Sequence, residues 1–212
     1  MGTRSGSRHP LFARCYSALA LLAESAGTKM VRQELLSGLS GRVLEIGGGN
    51  GLNLRHYPPA VDQVTVIEPE RHLRIRCERA AQRARVKVVV LDGFAETLPF
   101  EDSSFDAAVS SLVLCSVSDL PRALAELMRV LRPQGELRFY EHIRGRRMVG
   151  RVQDAVDPLW GLIAGGCHLN RETVVAMDRA GFLVGQVRSA PIRVAGVPVP
   201  GPEMVLGRAV RP

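Results

Sequence analysis

The run Arg42–Gly51, RVLEIGGGNG, constrains this chain more than any other segment. A short apolar stretch reads as a strand, and four glycines in the next five residues end it in a loop whose backbone a ligand can approach closely. The same alternation then repeats. Strand-like runs are read at Arg42–Ile46, Asp62–Glu68, Val86–Leu91, Phe105–Ser110 and Glu136–Glu141. Helical patterns are read at Arg71–Arg85 and at Asp119–Leu131, where Leu120, Leu124, Leu127, Met128 and Leu131 share one stripe. Val86–Leu91 is almost continuously apolar, as expected of a strand buried on both faces. Strands alternating with helices at this spacing give right-handed βαβ units and a mostly parallel sheet with helices on both faces, an α/β Rossmann-like fold. The end of the chain departs from this pattern. Phe182–Arg188 and Met204–Val210 have no helix between them and read as an antiparallel pair closing the sheet.

Length and composition fit one domain spanning residues 1–212, with 46% hydrophobic and 23% charged residues. Two stretches stand outside the alternation: 9–36, read as an N-terminal helical lid, and 147–168, read as a lid inserted after the fifth strand. Asn170 is the expected N-cap of the helix that follows. No apolar run approaches the roughly 20 residues of a membrane span, and Arg14 interrupts the apolar run Leu11–Ala23, so a cytoplasmic protein without a membrane span is expected. Cys15, Cys77, Cys115 and Cys167 contain no Cys-x-x-Cys pair; reduced thiols and no metal site are expected. Cys167 and His168 are adjacent, so a Cys–His dyad is discounted. The net charge of +7 is almost all arginine. Its densest run, Arg71, Arg74, Arg76, Arg79, Arg83 and Arg85, lacks interleaved aromatics and reads as a solvated flank, with no nucleic acid partner expected.

The glycine loop is compatible with a dinucleotide or an adenosyl cofactor, and Glu68, 21 positions after Gly47, suits a ribose under either. Glu45 separates them. A carboxylate there would repel a pyrophosphate but suits the α-ammonium and sulfonium of S-adenosyl-L-methionine. Leu52 also stands where the dinucleotide fingerprint has its third glycine.

Glu45–Gly51 resembles motif I of class I S-adenosylmethionine-dependent methyltransferases, and Gly93–Phe100, GFAETLPF, resembles their G-D-A-E-x-L-P-F segment. This likeness covers roughly residues 41–141. More narrowly, Leu112–Val117, Arg129–Pro133, Glu141-His142, Asp157-Pro158-x-Trp160, Gly166-Cys167-x-Leu169 and Arg171-Glu172 resemble the methyltransferase-like thiol methyltransferases. The resemblance implies the seven-stranded methyltransferase sheet with its last strand antiparallel. It implies a cofactor site of Glu45, Gly47, Gly48, Gly49, Glu68, Pro69, Gly93, Phe94, Ala95, Ser111, Leu112 and Cys115. Phe94 departs from the family, where an aspartate commonly bonds the adenine. The membrane anchor of the animal members is not expected here.

Methyl transfer to a small-molecule acceptor follows, a thiol sulfur by this likeness, with O- or C-methylation of a natural product or quinone as the alternative and RNA methylation a more distant one. Glu141 and His142 close the fifth strand and are the catalytic candidates. Successive strand residues face opposite ways, so one of the two is expected to face the cleft, and His142 is the better base by intrinsic pKa. Cys115 is expected to line the pocket rather than to attack, because direct displacement needs no covalent enzyme intermediate. The oligomeric state is not legible.

Overall fold

A computed structural model describes residues 28–191, 193–194, 197–198 and 203–212. The reading of a lid over 9–36 therefore falls mostly outside the described residues, and only its end, helix α1 (Lys29–Leu36), is within them. The chain then runs through β1 (Gly41–Ile46), β2 (Val61–Ile67), α2 (Arg71–Ala81), β3 (Lys87–Leu91), β4 (Phe105–Ser111), α3 (Leu120–Val130), β5 (Leu131–Ile143), α4 (Arg147–Ile163), α5 (Thr173–Arg179) and β6 (Leu183–Ser189). A two-residue pair, β7 (Arg193–Val194) and β8 (Val197–Pro198), precedes the closing strand β9 (Glu203–Val210).

Seven strands form one sheet in the order β3-β2-β1-β4-β5-β9-β6. The pairs from β3 through β5 are parallel, and β9 runs antiparallel between β5 and β6. The expected closing pair is thus present, with β9 inserted inside the sheet rather than at its edge. Alternation along the strands builds two cores. Leu44, Leu137 and Phe139 pack on one face with Leu124 and Leu127 of α3 and Met177 of α5. Val43, Val64 and Tyr140 pack on the other with Leu35, Leu36 and Cys77. Asp119 caps α3 by accepting the Arg122 backbone N–H at 3.0 Å.

Three readings are corrected. β3 is an edge strand, so Val88, Val89 and Val90 are only half-buried; continuous apolar character does not distinguish an edge from a centre when one helix covers the strand. Pairing in β5 begins at Leu131 opposite Phe105, and the Pro133-Gln134-Gly135 turn is a bulge within it, with Gln134 at φ +63°. Asn170 does not cap α5; Glu172 occupies that position, and Asn170 Nδ2 donates to Asp154 Oδ1 at 3.3 Å.

Candidate functional site

A cleft of about 450 Å³ opens where β1, β2, β4 and β5 end, the edge at which parallel α/β sheets place their ligands. Gly47 and Gly49 form its floor. Gly47 has φ +60°, and a Cβ there would lie 2.4 Å from the Val113 side chain, so both conformation and space call for glycine. Gly48 does not line the cleft; its missing Cβ would lie 2.3 Å from Val66 and lets the loop sit on β2. Gly93 is likewise absent from the lining and packs on Ile67.

Glu68 lies at the mouth of β2. Its Oε2 accepts the Gly49 N–H at 2.8 Å and its Oε1 the Glu70 N–H at 2.9 Å. A carboxylate accepts about four hydrogen bonds, so it retains capacity for a ligand. Burial pushes its pKa up to about 7 against those two amides. Arg74 braces this corner, donating to the Glu68 and Pro69 carbonyls at 2.9 and 3.2 Å and pairing with Asp92 at 3.2 Å. Pro69, Phe94, Ala95, Ser111, Leu112 and Cys115 all line the cleft. Ser111 Oγ is buried without a hydrogen-bond partner.

Glu45, expected to suit the cofactor's cationic end directly or through water, stands back from the cleft. It is buried beneath the glycine loop and absent from the lining. Tyr57 Oη donates to its Oε2 and Asn53 Nδ2 to its Oε1, each at 2.8 Å, and Arg32 Nη1 of α1 donates to Asn53 Oδ1 at 2.8 Å. Burial raises its pKa, while Tyr57, Asn53 and Arg32 oppose the rise. Its carboxyl ties Asn53 and Tyr57, which follow the glycine loop, to the end of β1.

Glu141 also stands away from the cleft. It is fully buried and points behind the 112–115 loop, not into the cleft. Ser110 Oγ donates to its Oε1 at 2.5 Å, the Val113 and Leu114 amides donate to the same oxygen at 3.0 and 3.1 Å, and the Cys115 amide donates to Oε2 at 3.2 Å. This brace accompanies the backbone of Leu112, which stands at φ +62° and donates its N–H to the Tyr140 carbonyl at 2.7 Å. A β-branched or bulky side chain in that region is strained, and such strain persists where surroundings over-determine it. Of the two residues closing β5, His142 alone faces the cleft.

Beside His142 the cleft is walled by Cys115, Trp160, Ala164, Gly165 and Cys167. His142 Nδ1 lies 3.3 Å from Cys167 Sγ, which lies 3.7 Å from Cys115 Sγ. Cys167 and the adjacent His168 do not pair, as expected; Cys167 meets instead a histidine 25 residues away, a pairing the sequence reading did not consider. His168 turns instead to Asp157, Nδ1 to Oδ2 at 2.7 Å, and Asp157 Oδ1 accepts the Leu169 N–H at 2.7 Å. The hydrogen bond between the two sulfurs raises the Cys115 pKa and lowers that of Cys167; burial pushes both up, and His142 and Trp160 pull Cys167 down further. The His168 N–H donates to the Cys115 carbonyl at 2.8 Å and Arg171 Nη1 to the Leu114 carbonyl at 2.8 Å, fastening the segment after α4 to the loop after β4. Asp157, Tyr57, Asn53 and Arg171 were not read as site residues in these roles; each has its partner far away in sequence.

The methyltransferase domain family matches residues 44–139. The chain is 35% identical to the human thiol S-methyltransferase TMT1B over 184 residues, covering 83% of this chain and 74% of that protein. It is 36% identical to the human thiol S-methyltransferase TMT1A over 156 residues, covering 69% and 62%. Its fold overlays on the crystal structure of an S-adenosylmethionine-dependent methyltransferase from Thermotoga maritima with a TM-score of 0.71 at 22% identity, covering 96% and 97% of the two chains. Identity at that level over most of both chains, together with the matched domain, establishes that this chain belongs to the class I S-adenosylmethionine-dependent methyltransferases, in the group that includes the thiol S-methyltransferases.

Proposed function

We propose that this enzyme methylates the sulfur of a small, largely apolar thiol by direct in-line displacement. When bound, S-adenosyl-L-methionine supplies a methyl group already activated on a sulfonium. The residues fit it. Glu68 retains acceptor capacity for the two ribose hydroxyls, Ser111 Oγ is a buried polar atom awaiting a partner, and Phe94, Ala95, Ile67 and Leu73 offer an apolar seat for the base. Phe94 stands in sequence where the family commonly has an adenine-binding aspartate, and it lines the cleft.

The observation that carries the thiol reading is the withdrawal of Glu141. With it bound to three amides and a hydroxyl, the wall around His142 presents Cys115, Trp160, Ala164, Gly165 and Cys167, with no carboxylate among these residues. A hydroxyl acceptor needs a base to ionise it, whereas a thiol is already a few per cent thiolate at neutral pH. The protein's main task is then alignment, worth up to roughly 7–11 kcal/mol when the geometry is ideal. We assign α4 and the residues after it as a lid over the acceptor, through Trp160, Ala164, Gly165 and Cys167, which keeps water from the thiolate.

The His142 ring favours a second reading, methyl transfer to a phenol or quinol hydroxyl with His142 as base; its Nδ1 is already engaged by Cys167 Sγ. A panel of small thiols, matched phenols and a quinol with labelled cofactor separates the two. Transfer to thiols supports the proposal, and transfer confined to hydroxyls supports the second reading.

A further inference from the structure

We propose that Cys115, His142 and Cys167 form a binding site for a zinc-type divalent cation, three-coordinated by protein and with its fourth position open to the acceptor thiolate. The role of the fourth position rests on the thiol reading above; the three protein ligands do not.

The argument starts from distances. Zinc bonds to sulfur at about 2.3 Å and to imidazole nitrogen at about 2.0–2.1 Å, so a regular tetrahedral centre has an S···S edge of about 3.8 Å and an S···N edge of about 3.6 Å. Here Sγ of Cys115 and Cys167 stand 3.7 Å apart, and Cys167 Sγ stands 3.3 Å from His142 Nδ1. The three ligand atoms all lie within 4.8 Å of one another. Two thiolates and one imidazole are a donor set that selects zinc over the hard cations. Three protein ligands with one open position is the arrangement of catalytic rather than structural zinc.

The convergence is built by the fold. Cys115 follows β4, His142 lies in β5 and Cys167 follows α4. Glu141 fixes the Cys115 amide, and the His168 N–H bonds the Cys115 carbonyl, so both cysteine-bearing segments are tied together at the backbone. Asp157 locks the segment further through His168 and Leu169. Both thiols are buried and His142 is half-buried, while all three residues line the cleft, so the open position faces the cavity that receives the acceptor.

The chemistry balances without an added reactant. A thiol entering the fourth position releases its proton to solvent as the metal–sulfur bond forms. A lone pair on that sulfur then takes the methyl carbon as the carbon–sulfonium bond breaks. The products are the neutral thioether, which leaves the metal, and S-adenosylhomocysteine. This raises the ionised fraction of the acceptor above the few per cent that a free thiol has at neutral pH.

The test uses the full chain, reduced and stripped with a chelator, titrated with Co²⁺. The expected result is one equivalent bound, with thiolate-to-cobalt charge-transfer absorption and tetrahedral d–d bands, both displaced by Zn²⁺. The charge-transfer band should weaken in Cys115→Ser and in Cys167→Ser, and the d–d bands should change in His142→Ala; a wild-type far-UV circular dichroism spectrum and a cooperative urea transition report that each variant is folded. Thiophenol should shift the d–d bands and phenol should not. No charge-transfer band in the wild type, or a band unchanged in both serine variants, overturns the site. A thiophenol-insensitive spectrum in an enzyme that methylates thiols overturns the open-position role and leaves the thiol reading intact.

Discussion

Glu68 Oε2 accepts the Gly49 backbone N–H at 2.8 Å, which makes the end of β2 and the glycine loop after β1 a single preorganised corner. That corner is where the ribose of the cofactor is proposed to bind. Replacing Glu68 by Gln removes the charge at nearly constant shape, and Ala removes the acceptor. Charge-assisted hydrogen bonds are worth about 1.5–3 kcal/mol, so affinity for S-adenosylhomocysteine should fall roughly tenfold or more in Glu68→Ala. Calorimetry measures it, and an unchanged dissociation constant would remove Glu68 from the ribose site.

The same carboxyl sets a pH dependence. Burial holds it protonated in the free protein up to about pH 7, whereas ribose hydroxyls donate best to the ionised form. Binding of S-adenosylhomocysteine should therefore strengthen as pH rises through about 7. Glu68→Gln should flatten this profile. A wild-type profile flat across that range would contradict the assignment.

Glu141 separates a structural from a catalytic role. Its removal leaves the Ser110 hydroxyl and the amides of Val113, Leu114 and Cys115 without their partner. Buried donors left unsatisfied cost about 1–3 kcal/mol each, so Glu141→Ala should lose on the order of 3 kcal/mol or more of stability in urea denaturation. Glu141→Gln, which keeps an acceptor oxygen, should fold and retain the wild-type pH profile of kcat. A folded but inactive Glu141→Gln enzyme would restore Glu141 as a base.

The half of the cleft proposed to read the cofactor was legible because it is local. Gly47, Gly49 and Glu68 sit at the ends of two successive strands, and period-2 apolar runs punctuated by glycine identify those strands directly. The acceptor half arises from long-range convergence. Cys167 meets His142 across 25 residues and Cys115 across 52, and Arg171 reaches the Leu114 carbonyl across 57. No periodicity encodes such meetings. The orientations of Glu45 and Glu141 were partly legible: alternation said that one of Glu141 and His142 faces inward, but only the Ser110 hydroxyl and three amides decide which. β3 was misread as buried on both faces because a half-covered edge strand and a fully buried one can have the same apolar sequence.

The lid assignment turns on Asp157, which holds both His168 and the Leu169 amide. Asp157→Ala should loosen the segment carrying Cys167 without touching the glycine loop. The Michaelis constant for the acceptor should rise several-fold while the dissociation constant of S-adenosylhomocysteine stays within about twofold of wild type. Limited proteolysis should show faster cleavage between 147 and 168. Equal effects on cofactor and acceptor would show that this segment is not a lid.

Transfer to sulfur is measured most directly by pairing acceptors that differ in one atom. Thiophenol and phenol, and an alkyl thiol with its matching alcohol, are incubated with labelled S-adenosyl-L-methionine, and the methylated products are separated. The expected result is labelled thioether from both thiols and no labelled ether from either hydroxyl compound. Label appearing only in the ether products would contradict thiol methylation while leaving the methyltransferase fold and cofactor in place.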